Sequence, residues 1–190
     1  MKIVLASSNE HKVKEINAIV LGHDIEFILP PEGFDPIEDG KTFEENSFIK
    51  AQAAWELSKT WTLADDSGLC IDVLNGAPGI HSARYANNPQ ARIDRVLDEM
   101  QGLENRSACF KCCMTLINPD GDVVFSYTGV CEGSIVENQR GVNGFGYDPI
   151  FLIKDSDKTM AELSDEEKNE ISHRGKALKS VLDYIKRNPA

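Results

Sequence analysis

The chain has 190 residues, 41% hydrophobic, 7% aromatic and 27% charged, a composition that excludes disordered and fibrous classes. With 31 Asp and Glu against 20 Lys and Arg, its formal net charge is −11, so most of the surface repels nucleic acid phosphates and duplex binding is disfavoured. Small phosphorylated ligands stay open, because a few Lys and Arg side chains and a divalent cation set the potential inside a site.

In chain order, residues 2–6, "KIVLA", form a short apolar run that predicts a strand. The run is too short for a signal peptide, and no segment reaches the ~20 apolar residues of a membrane span, so the expected location is the cytoplasm. "SSNE" then supplies loop and capping residues before Val13, Ile16, Ile19 and Val20 recur at helical spacing. Residues 25–29 predict a second strand, and "PPEGFDPIEDGK" an exposed acidic loop. Thr42 and Glu45 have the spacing of a capping box that opens a helix running to about Leu57.

In "TLADDSGLCIDV" a strand is expected to end at the aspartate pair and resume after a glycine turn, followed by a long Gly, Pro and Asn loop. Pro89 starts a helix with Ile93, Val96, Leu97 and Met100 on one face, and Gly102 is placed to stop it. Two β runs, 107–117 and 122–131, flank the turn "NPDG". The odd count of five cysteines suits reduced thiols, and because Cys109 and Cys112 sit three apart on a strand they point to opposite faces and do not chelate together. Ser164 and Glu167 form a second capping box before a last helix with Ala177, Leu178, Val181, Leu182 and Ile185 inward. Early alternation of strands and helices followed by a hairpin predicts an α/β or α+β fold with a mixed sheet, as one domain over residues 1–190 or two lobes sharing a core.

Four stretches can carry chemistry. At "SSNEHK", unpaired N–H groups and the helix dipole favour an anion, with Ser7, Ser8, Asn9 and Lys12 completing the cradle; ordinary capping is the other reading. Glu38, Glu44, Glu45, Asp65 and Asp66 offer carboxylates from separate segments, sufficient for Mg²⁺, though Glu45 can cap its helix and one aspartate the turn at Ser67 and Gly68. "GFGYDPIF" has glycines beside Phe145 and Tyr147, fit to meet a planar ligand or to form a plain turn, and Asp148 before Pro149 is expected to be extended. Lys168, His173, Arg174 and Lys176 gather positive charge near the start of the last helix, as base-reading donors or a solvated helix end.

Taken together, "SSNEHKVKE", "TFEENSFIKA", "ADDSGLCIDVLNGAPGIHSARYA", "GFGYDPIF" and "EEKNEISHRGKAL" resemble, in order and nearly end to end, the inosine triphosphate pyrophosphatase family. The resemblance implies an elongated mixed sheet, two lobes with a nucleotide in the cleft between them, a homodimer, and Mg²⁺-dependent conversion of ITP, dITP or XTP to monophosphate and pyrophosphate. It implies that Ser7, Ser8, Asn9, Glu10, His11 and Lys12 form the triphosphate loop, that Lys50 lies near the phosphates, and that Glu38 and Asp66 bind the metal. Asp66 would also accept the proton, Ser67 would touch substrate, and Phe145, Gly146, Tyr147, Asp148, Lys168, His173 and Arg174 would form the base pocket. His81 and Gln139 depart from common family residues, outside these motifs. The alternatives are a pyrophosphatase for modified pyrimidine triphosphates and a non-catalytic nucleotide-binding regulator.

Overall fold

The computed structural model describes residues 1–20, 22 and 24–188, except for the side chains of Glu10, His11 and Lys14. Its strands are β1 (Lys2–Leu5), β2 (Glu26–Ile28), β3 (Thr62–Ile71), β4 (Ser107–Ile117), β5 (Val123–Ile135) and β6 (Phe151–Ile153). Helices are α1 (Glu10–Val20), α2 (Phe43–Ser58), α3 (Pro89–Glu99), α4 (Asp165–Ile171) and α5 (His173–Arg187). The strands form one six-stranded sheet in the order β2-β1-β3-β4-β5-β6. β1 runs parallel to β2 and β3, and β5 antiparallel to β6, so the sheet is mixed as expected.

The chain packs as two units, one of residues 1–66, 112–129 and 174–190, the other of 67–111 and 130–173. In the first, β1 is covered on both faces, which is why its sequence is continuously apolar. Ile3 and Leu5 pack with Ile16 of α1 and with Leu178 and Val181 of α5, whereas Val4 and Ala6 pack with Ala51 and Ala54 of α2. In the second, Leu69, Val96, Phe110, Phe151 and Met160 share a core, where each fully buried large side chain contributes about 1.5–3 kcal/mol.

Several local expectations change. Thr42 caps α2 by accepting the Glu45 N–H at 3.1 Å, but the Glu45 carboxylate accepts from Lys41 N–H at 2.6 Å instead of closing the box on Thr42. The box at Ser164 and Glu167 is complete, yet it opens the short α4, and Ser172 separates α4 from α5. β5 continues to Ile135, four residues past its expected end. No turn interrupts "ADDSGLCI": β3 passes straight through it. Asp148 lies in a 3-10 turn (Asp148–Ile150) and is not extended, because its carboxylate folds back to accept the Phe145 N–H at 2.8 Å.

Candidate active site

Asp65 and Asp66 are consecutive residues in the middle of β3, so their side chains leave opposite faces of the strand. Both are buried, at 1% and 7% exposure, and a buried carboxylate needs a cation or hydrogen bonds to remain ionised. The two find different partners. This inequality comes from strand alternation, which a turn at this position would not produce.

On the Asp66 face, α2 presents Lys50, whose Nζ lies 2.9 Å from Asp66 Oδ1 and 3.2 Å from Glu38 Oε2. Burial opposes the Lys50 ammonium, but Asp66, Asp65 and Glu38 outweigh it, so its pKa is raised and it stays charged. Burial also pushes the Asp66 carboxyl up, and Lys50 and Lys12 only partly offset that rise. Asp66 Oδ2 is buried with no hydrogen-bond partner among the described residues. An unpartnered buried oxygen beside a second carboxylate fits Mg²⁺, which takes one or two carboxylates and keeps waters and phosphate oxygens. Among the described residues no group of three or more His, Cys, Asp or Glu side chains is placed to hold a metal.

On the other face, Asp65 Oδ2 lies 3.0 Å from Lys12 Nζ and 3.3 Å from Arg174 Nη2, with Cys112 Sγ at 3.8 Å. Arg174 Nη1 donates to Glu15 of α1. Burial alone would raise the Asp65 pKa, but Lys12, Arg174 and Lys50 outweigh it and hold the carboxyl well below the usual carboxylate range. Arg174, expected at a solvated helix start or in the base pocket, is 2% exposed, with its guanidinium on these two acids. The hub role of Asp65 and the participation of Glu15 were not anticipated. Glu15 gives no local signal, since an acid in the second turn of a helix reads as surface.

The loop from β1 to α1 is organised by its own side chains. Ser7 Oγ accepts the Asn9 N–H at 3.2 Å, and Asn9 Oδ1 accepts the Lys12 N–H at 3.4 Å. Ser7 is buried while Ser8 and Asn9 are exposed. The side chains of Glu10 and His11 lie outside the described residues.

In the second unit, Lys168 Nζ lies 2.7 Å from Asp148 Oδ2 and 4.7 Å from the centroid of the Phe145 ring. That carboxylate oxygen also takes the Phe145 N–H, so Phe145, Asp148 and Lys168 form one cluster. A Cβ on Gly144, whose φ is +71°, would stand 2.1 Å from Asp148 Oδ2. Gly144→Ala is therefore expected to displace Asp148 and to lower the melting temperature, because positive φ strains alanine as well; an unchanged melting temperature in calorimetry would contradict this. Gly146 also has positive φ, +63°. Tyr147 is a core residue whose hydroxyl donates to the Ser82 carbonyl at 2.9 Å, and burial raises its pKa. His173 is buried and stacked on Phe110, with ring centroids 4.8 Å apart. Ser67 follows Asp66 on β3 and is half-buried. Of the four basic residues read as one group from the sequence, Lys168 thus meets Asp148, His173 meets Phe110 and Arg174 meets Asp65 and Glu15.

All five cysteines are free thiols, with Cys112, Cys113 and Cys131 buried. No helix among the described residues is long and apolar enough to cross a membrane.

Comparison with known proteins bears on the whole chain. A dITP/XTP pyrophosphatase of Treponema denticola is 50% identical over 195 residues, covering 98% of this chain and 99% of its own length. One from Bacillus licheniformis is 46% identical, covering 95% of each chain. Among solved structures, a HAM1 protein from Coxiella burnetii superposes with a TM-score of 0.89 at 41% identity, covering 98% of this chain and 99% of that one. The Staphylococcus aureus Ham1 protein gives 0.89 at 39% identity with the same coverage. The profile of the Ham1 family matches residues 3–184, and with these relatives it shows that the chain belongs to the Ham1 family.

Proposed function

We propose that this chain hydrolyses the deaminated purine nucleoside triphosphates ITP, dITP and XTP to the monophosphate and pyrophosphate, using Mg²⁺. The observation that carries the reaction is Lys50 holding Glu38 and Asp66 at 3.2 and 2.9 Å around one ammonium. The substrate class rests on relatives that bear the name dITP/XTP pyrophosphatase.

Glu38 and Asp66 are the residues that would hold Mg²⁺, which when bound neutralises phosphate charge and polarises water. Asp66 is suited to orient the attacking water and accept its proton, since burial raises its pKa and Oδ2 has no other partner among the described residues. Lys50 fixes the Asp66 carboxylate through Oδ1 and places positive charge beside it. Lys12, anchored by Asp65, adds a second charge next to the β1–α1 loop, where helix N–H groups favour phosphate. Phosphoryl chemistry of this kind depends on positioning and charge stabilisation, so no covalent enzyme intermediate is expected. Attack at the α phosphorus puts ¹⁸O from water in the monophosphate, whereas ¹⁸O in pyrophosphate would exclude it.

Base selection falls to Lys168, steered by Asp148 beside the Phe145 ring. An ammonium donates and cannot accept, so it pairs with a 6-oxo group and leaves a 6-amino group unmatched. In the same reading residues 1–190 are one catalytic domain with two lobes, acting as a cytoplasmic homodimer that binds neither nucleic acid nor membrane. The acidic net charge of −11 and the free thiols support that setting.

The test is incubation with Mg²⁺ and ITP, XTP, the standard NTPs or modified pyrimidine NTPs, quantifying pyrophosphate and phosphate. Pyrophosphate from ITP and XTP is the expected product. Release from modified pyrimidine NTPs alone would favour a pyrimidine pyrophosphatase, and binding without turnover a regulatory protein.

A further inference from the structure

We propose that Asn46 is a further binding and positioning residue of this site. Its carbonyl oxygen ties the Glu38 loop to α2, and its amide N–H₂ donates to a phosphate oxygen of the bound ligand. The inference rests on the phosphate and metal reading given above and extends it to a residue that reading does not use.

Asn46 is 0% exposed, which is rare for a carboxamide unless its donors and acceptor are all engaged. Only part of that capacity is used. Asn46 Oδ1 accepts the Gly40 N–H at 2.9 Å, while Nδ2 is buried without a hydrogen-bond partner among the described residues. A buried donor with no acceptor is costly, and the Gly40 contact uses only the oxygen of the carboxamide, so the N–H₂ is matched by an acceptor that arrives with a ligand.

The position of Asn46 identifies the acceptor. It lies four residues before Lys50 on α2, on the same helical face. Helical side chains lean toward the N-terminus, so the Lys50 side chain runs back over the turn that carries Asn46. The end of that side chain is the ammonium shared by Glu38 and Asp66. Gly40, the partner of Oδ1, is two residues beyond Glu38. The next amide, Lys41 N–H, is held by Glu45 Oε2 at 2.6 Å, so two consecutive amides of the acidic loop are clamped to the first turn of α2. The approach is close enough to demand glycine: a Cβ at residue 40 would stand 2.6 Å from Asn46 Oδ1 and 2.8 Å from the Glu45 Cβ. One side chain therefore holds the Glu38 loop and presents an N–H₂ donor a single turn from the site's lysine, where an anion is the complementary ligand.

The full chain, ¹⁵N-labelled, is titrated with Mg²⁺ and inorganic pyrophosphate and followed by NMR. The Asn46 side-chain amide signals are identified by their loss in Asn46→Ala. They are expected to shift and to exchange more slowly with water as pyrophosphate binds, a signature that a loop-anchoring role alone does not produce. Calorimetry is expected to show pyrophosphate binding weakened at least about tenfold in Asn46→Ala and also in Asn46→Asp, which keeps an acceptor for the Gly40 N–H and removes the donor. In ligand-free Asn46→Ala the Gly40 amide should exchange faster with deuterium. Wild-type protein that binds pyrophosphate with unmoved Asn46 amide signals would overturn the donor assignment, and so would wild-type affinity in Asn46→Asp. Unchanged Gly40 exchange would overturn the anchoring. Wild-type protein that binds no Mg²⁺ and pyrophosphate would instead defeat the phosphate reading itself. Where Asn46→Ala fails to fold, the signals are identified by their loss in Asn46→Asp, so the reading on wild-type protein stands.

Discussion

Asp66→Asn lowers kcat/KM for ITP by about 10²–10⁴-fold and leaves the melting temperature within a few degrees of wild type. The substitution keeps shape and removes charge from the group assigned to metal and water. Stability is largely spared for two reasons. Burial already disfavours the ionised form of Asp66, so neutralising it relieves a desolvation cost. Lys50 also keeps Glu38 as a carboxylate partner at 3.2 Å. Pyrophosphate release and calorimetric unfolding check the two halves separately. An Asp66→Asn enzyme of normal rate would remove Asp66 from the chemistry.

Asp65→Asn has the opposite signature: the fold suffers first. Asp65 Oδ2 holds Lys12 at 3.0 Å and Arg174 at 3.3 Å, with side-chain exposures of 13% and 3% for these partners. Removing one member of a buried ion pair leaves uncompensated charge and costs about 3–5 kcal/mol. Glu15 still engages Arg174, so the loss falls most directly on Lys12. Chemical denaturation is expected to show a lower midpoint with an unchanged slope. An Asp65→Asn protein as stable as wild type would contradict the network.

The same carboxylate predicts a pH dependence. Its folded pKa lies below the ordinary value of 3.8, so around that value the unfolded chain binds a proton that the folded chain does not. Stability therefore rises with pH in that window. The contribution is complete above about pH 4 and is lost as pH falls through the folded pKa. Denaturation midpoints measured from pH 5 downward should fall more steeply for wild type than for Asp65→Asn. Parallel curves would remove Asp65 as the acid-sensitive group.

Local chemistry made part of this molecule legible. The start of α2 follows from Thr42, the apolar run of β1 from its two covered faces, and the last helix from the spacing of Ala177, Leu178, Val181 and Leu182. Three features resisted for one physical reason, that distant partners decide them. "ADDSG" has turn-forming residues, yet the strand continues because buried cations neutralise both aspartates. Arg174 reads as a solvated helix start, yet its acceptor on Asp65 lies 109 residues away in the chain. Asp148 before a proline reads as extended, yet Lys168 and the Phe145 N–H close it into a turn. The motifs marked where charged side chains gather, and strand alternation gave Asp65 and Asp66 separate partners.

The central claim is selective pyrophosphate release from deaminated purine triphosphates. Its most direct test is kcat/KM for ITP against ATP in the same Mg²⁺ buffer, read as pyrophosphate formed. On the proposed donation from Lys168 to the 6-oxo edge, ITP is predicted to exceed ATP by about 100-fold or more. Equal values, or turnover of ATP alone, would contradict the account.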